Sequence, residues 1–180
     1  MAHLVLLFLH VTSAMGVVAG LGIEGLVLVQ LRAAHSGSEA RAALASTRYV
    51  QRVMGLSLLA AIVTGIYLAT VYWSWRGAWM GMAILTLIIM ALIGGFMTGR
   101  PTMRVMRAGG DGLASDELAA VQGRLSLSYT IRLGLFLGIV FLMTTKPVSG
   151  GMALLVVGVA AAVGLLAGLP ARRAGVRSRA

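Results

Sequence analysis

The chain has 180 residues, 59% of them hydrophobic and only 11% charged, where a water-exposed domain carries about a quarter charged residues. Its formal net charge of +10 does not point to nucleic acid, because the basic residues flank apolar runs and do not interleave with aromatics that could stack on bases. The absence of cysteine excludes disulfides, thiolate metal sites and thiol catalysis.

The first apolar run covers about residues 4–31 and exceeds the roughly 20 helical residues that cross a bilayer core. Met1-Ala2-His3 puts no basic segment ahead of it, so it reads as a retained span and not as a cleaved leader. His3, His10 and Glu24 share one stripe of this helix. Seven residues separate the two histidines and fourteen separate His10 from Glu24, a drift of only about 40° around the axis. That stripe should face the interior of a bundle.

Residues 32–49 form a basic connection with Arg32, Arg41 and Arg48, followed by Arg52 at the start of the next span. Residues 36–48 read as a short helix capped by Ser36 or Ser38. The second span covers about 50–73 and the third about 78–98, with Tyr72, Trp73, Trp75 and Trp79 around the turn between them, as in an interfacial aromatic belt. Residues 99–124 hold Arg100, Arg104, Arg107 and Arg124. Gly109-Gly110-Asp111-Gly112 breaks the chain there, and Ser115-Asp116-Glu117 reads as the start of a helix with acids near its positive end. A fourth span at about 125–145 contains Arg132, Pro147 marks a tight turn, and a fifth span at about 152–169 leads to a tail with Arg172, Arg173, Arg177 and Arg179.

The architecture implied is all-α: a polytopic bundle of about five transmembrane helices forming one domain over residues 1–180. Period-2 alternation is absent, and only helices or closed barrels satisfy the backbone in lipid. Twelve of the fifteen Lys and Arg residues fall in three segments on one side, while the alternate turns hold only Arg76 and Lys146. The positive-inside rule then places the N-terminus outside and the C-terminus in the cytoplasm of a bacterial inner membrane. Glycine pairs four apart, at Gly16/Gly20, Gly77/Gly81, Gly95/Gly99, Gly134/Gly138 and Gly164/Gly168, point first to close packing within the bundle and second to a dimer face.

Ionisable groups at membrane depth are costly and concentrate where something happens. Glu24 lies eight residues before Arg32, and Arg132 eight after Arg124. Both therefore sit about 12 Å inside the basic boundary. Equal depth and opposite charge predict an ion pair, serving either to fix helix register or as a proton or anion site. His10 is either a hydrogen-bonded packing residue or a ligand for haem iron or copper. Bis-histidine ligation within one chain fits the geometry poorly, since His3 is on the same helix, which leaves single-histidine ligation or a haem shared across a dimer. Met15, Met80, Met82, Met143 and Met152 belong to the outer halves of their spans and, with His10, would suit Cu(I), although methionine also fills apolar gaps.

Leu9-His10-Val11, the run Gly20-Leu21-Gly22-Ile23-Glu24-Gly25 and Thr64-Gly65-Ile66-Tyr67-Leu68-Ala69 followed by Trp73 and Trp79 carry a resemblance. The first hundred or so residues resemble bacterial copper-resistance-D-type membrane proteins, the small membrane protoporphyrinogen oxidase group, and a related set of predicted integral membrane proteins. The resemblance implies a haem b-associated role for His10. Against an oxidase, the third span lacks the lysine that group uses, and a fifth helix is present. The reading that results is a small multi-pass protein holding haem or copper at His10. The alternative is a non-catalytic accessory subunit packed against a larger membrane complex; the partners implied are the lipid bilayer and either further copies of the chain in a homo-oligomer or other membrane subunits. A transporter built from inverted halves fits five spans poorly.

Overall fold

The structure, a computed structural model, describes residues 1–34, 36–108 and 115–177. Their elements are helices: α1 (Ala2–Ala33), α2 (Gly37–Ala45), α3 (Thr47–Val71), α4 (Ala78–Ile93), a π-helical segment (Gly94–Gly99), α5 (Arg100–Ala108), α6 (Ser115–Thr145) and α7 (Gly150–Arg177). Five helical stretches are long and apolar enough to cross a membrane, with α4, the π segment and α5 forming one continuous rod. This is a membrane protein. The glycine-rich break at 109–112 and His35 lie outside the described residues.

Local chemistry sets the boundaries. Ser36 caps α2 by accepting a hydrogen bond from the Glu39 amide at 3.3 Å, which satisfies one of the orphan donors of a helix start. The turn between α3 and α4 takes left-handed backbone at Ser74, Trp75 and Gly77. At Gly77 a Cβ would also lie 2.7 Å from the Trp79 ring, so a side chain there is blocked twice. The π turn has a cause in Pro101, which cannot donate to the Met97 carbonyl and whose ring would crowd it; widening the preceding turn relieves both problems.

Helix α6 is the centre of the bundle. Just over half of its membrane-length window is buried (56%), against 17% for α1 and for α7. Its closest partner is α7, where glycines face backbone on both sides: a Cβ on Gly164 would meet the Thr130 carbonyl oxygen, and one on Gly134 the Ala160 carbonyl oxygen. The pairs Gly134/Gly138 and Gly164/Gly168 are therefore spent inside the chain. Helix α1 lies along α3, with Gly16 against Ser57 and Gly20 against Met54. Contact between α3 and α4 is slight by comparison.

Two apolar cores result. One lies toward the tryptophan-bearing turn and includes Val17, Leu21, Met80, Met90, Leu135 and Leu142. The other lies at the arginine-rich end and joins Val27, Leu31, Leu44, Val105, Val121 and Leu125. At that end α6 is tied to α1, since Gln122 donates to the Leu31 carbonyl at 2.7 Å and Arg32 donates to the Ser126 hydroxyl. The aromatic belt is split: Tyr72 and Trp75 are exposed, whereas Trp79 is buried in the first core, with Trp73 packed beside it. Lys146 lies over both of these indoles, at 6.0 and 5.9 Å from the ring centres.

Candidate functional site

A polar layer separates the two cores, and α1, α6 and the π segment supply it. Glu24 follows Leu21 of the first core and precedes Val27 of the second. Arg132 occupies the matching place on α6, between Leu125 and Leu135. Arg132 Nη2 donates to Glu24 Oε1 at 2.6 Å, with the two side chains only 2% and 6% exposed. A charge so buried is tolerated only when its protons are accounted for, and most of this guanidinium's are. Nη2 also donates to Thr98 Oγ1 at 3.1 Å, and Nε donates to the Ser128 carbonyl at 3.3 Å. The hydroxyls of Thr98 and Ser128 share a hydrogen bond of 2.9 Å.

The π turn makes this arrangement possible. It brings Thr98 to the guanidinium and places Gly94 against Nη1, where even a Cβ would be 3.4 Å away. π turns recur at functional sites because the extra residue per turn redirects side chains and frees backbone space.

Nη1 makes no hydrogen bond among the described residues; instead Arg132 lines a cavity of about 340 Å³ between α3 and the α4–π rod. Its walls are mainly apolar, with Met54, Leu58 and Ile62 on one side and Met90 and Gly94 on the other. Gly55, Leu59, Ala91 and Gly95 also line it and are exposed on the outside of the bundle. The mouth therefore opens sideways, at membrane depth. Two buried polar atoms near this layer lack partners: Glu24 Oε2, and the amide nitrogen of Gln51, which lines the same cavity. Buried polar atoms are almost always satisfied by protein, water or ligand.

His10 sits elsewhere, between α1 and α3. His10 Nδ1 shares a hydrogen bond of 3.0 Å with Thr64 Oγ1, which also donates to the Ala60 carbonyl at 2.6 Å. In the tautomer whose Nδ1 donates to Thr64, the lone pair of the neutral imidazole lies on Nε2. The ring edge packs on Gly65, where a Cβ would come within 3.1 Å of Cε1. These contacts supply a hydrogen-bond acceptor and bare backbone but no second metal ligand. Met80 belongs to the first core, with Met82 and Met143 packed against it, while Met15 and Met152 point out of the bundle at 66% and 60% exposure. Among the described residues no group of three or more His, Cys, Asp or Glu side chains could hold a metal ion.

The chain is thus a five-span helical membrane protein with a buried guanidinium–carboxylate site beside a lateral cavity. No family model, curated protein or solved structure matches it. Thr98, Ser128, Gln51 and Gly94 were not evident in the sequence as site residues. One signal was available: Ser128 stands four residues before Arg132, one helical turn away on the same face.

Proposed function

We propose that this protein binds a neutral, lipid-soluble molecule carrying an oxygen acceptor, received from the bilayer between α3 and α4 and held at Arg132. The carrying observation is that the apolar, laterally open cavity ends on a guanidinium with one nitrogen unused. Glu24 already balances the charge of Arg132, so a charged ligand would bring an uncompensated ion into low dielectric. A carbonyl or hydroxyl oxygen on the ligand suits the free N–H groups of Arg132 and Gln51, which both line the cavity. With the arginine-rich end placed in the cytoplasm, the protein belongs in a bacterial inner membrane, with the site nearer its inner leaflet.

The test is an organic extract of the detergent-purified protein, compared by mass spectrometry with Leu58→Trp, which adds bulk to the cavity wall without replacing a polar group. A neutral carbonyl- or hydroxyl-bearing lipid should be enriched with the wild type and lost from the variant. Titration with an alkyl benzoquinone should show saturable binding that the variant lacks. Identical extracts and equal titrations would remove the proposal and favour a purely structural, accessory role.

A second reading, haem or copper at His10, is favoured by the tautomer in which Nδ1 donates to Thr64 and Nε2 carries the lone pair. Absorption spectra of protein made under haem-replete conditions, oxidised and reduced, together with metal analysis, decide it. A Soret band or bound copper that His10→Ala abolishes supports it; neither appearing in the wild type ends it.

A further inference from the structure

At the arginine-rich end, away from Arg132, a groove of about 470 Å³ runs between α5 and the first turns of α6. Arg100 and Arg104 project into it from α5 and Arg124 from α6, over a floor that includes the buried Val105 and Val121. Arg100 and Arg104 also line a neighbouring hollow together with Arg107. Among the described residues the only carboxylate lining the groove is Glu117, and the three arginines against it leave these lining residues a formal charge of +2. Among the described residues none of these arginines makes an ion pair.

The position of the groove is informative. Arg100 lies 4.4 Å over the ring of Phe96, which is 55% exposed on the outer face of the rod and lines the same groove. The groove therefore begins where the apolar rod gives way to arginines, the level of lipid headgroups. Boundary arginines that only orient a protein can project separately into solvent. Here they come from two helices, converge across one concavity, and stand over apolar side chains.

We propose that this groove binds the phosphodiester of an anionic phospholipid. Arg104 and Arg124 grip its oxygens from opposite walls, and Arg100 and Phe96 bracket the start of the acyl region. Guanidinium forks match phosphate oxygens, and a basic pocket between helices at the membrane boundary suits an anionic headgroup. Glu117 offers an acceptor to a headgroup hydroxyl and repels a headgroup carboxylate. The lipid of best fit is therefore one with a glycerol-type headgroup.

The experiment measures lipid binding to the full chain in detergent at fixed salt, by native mass spectrometry and by the shift in thermal unfolding. The probes are phosphatidylglycerol, phosphatidylcholine and inorganic phosphate. Phosphatidylglycerol should bind saturably and raise the unfolding temperature; the other two should do neither. Arg104→Gln with Arg124→Gln should weaken phosphatidylglycerol binding at least about tenfold. Arg41→Gln with Arg48→Gln, the same charge change outside the groove, should leave it within about twofold. Ala120→Trp fills the groove from an exposed position without altering charge and should weaken binding as well. Equal losses from the two arginine pairs would mean diffuse attraction and overturn the proposal. So would unimpaired binding to Ala120→Trp, equal binding of phosphatidylcholine, or equal stabilisation by inorganic phosphate.

Discussion

At the scale of single residues, Arg132 and Glu24 dominate because each would be intolerable alone. Breaking a buried ion pair from one side leaves an uncompensated charge and costs about 3–5 kcal/mol. Glu24→Gln and Arg132→Gln should each destabilise on that scale, while Glu24→Leu with Arg132→Met should recover much of the loss. Thr98→Val removes one hydrogen bond to a charged group and should cost less, about 1.5–3 kcal/mol. Denaturant unfolding in detergent checks the order; a double variant whose loss equals the sum of the two single losses would show that the pair does not act as a unit. The two charges were legible because each interrupts an apolar run. Their hydroxyl partners were not, since several hydroxyls in these helices bond only to their own backbone: Thr70, Thr86 and Thr144 each donate to the carbonyl four residues back. Nothing in the sequence separates Thr98 from these.

At the scale of elements, the glycines divide by what they face. A methyl on Gly164 would come within 2.5 Å of the Thr130 carbonyl oxygen, and neither backbone can yield without parting α6 from α7. Gly164→Ala and Gly134→Ala should each cost about 1–3 kcal/mol through overpacking. Gly158→Ala, on the same helix as Gly164 with nothing within 4 Å, should be neutral or stabilise by up to about 1 kcal/mol through helix propensity. Thermal unfolding of the three variants tests the contrast; equal effects would mean that the α6–α7 seam is not packed as described. The spacing alone suggested close packing but left open which helix meets which. The π turn was also out of reach, since the apolar run of residues 78–98 carries no mark of a widened turn. Its role emerges only when the widened turn is seen to deliver Thr98 and Gly94 to Arg132.

For the whole molecule, the two apolar cores with a charged layer between them follow from one asymmetry. Arginines crowd one end of the bundle, and tryptophans with Lys146 gather at the other. Orientation can be tested directly because the native chain has no cysteine. Ser74→Cys at the tryptophan-bearing turn and Ser38→Cys in the first turn of α2 are both exposed positions. In intact cells a membrane-impermeant maleimide should label the first and not the second; the reverse pattern would invert the topology and move both proposed sites to the other leaflet.

Five long apolar helices, the basic connections between them, the start of α6 at Ser115 and the two intramembrane charges follow from composition along the chain. Hydropathy and length are local quantities that survive without knowledge of neighbours. The rotation of each helix about its axis does not. In lipid both the outward and the inward faces of a span are apolar, so little periodic signal reports which side is packed. That is why Trp79 turns inward while Trp75 stays out, why four glycines join α6 to α7, and why Arg132 finds Thr98 as well as Glu24. The cavity at Arg132 and the arginine groove likewise exist only between helices, and tertiary packing alone decided them.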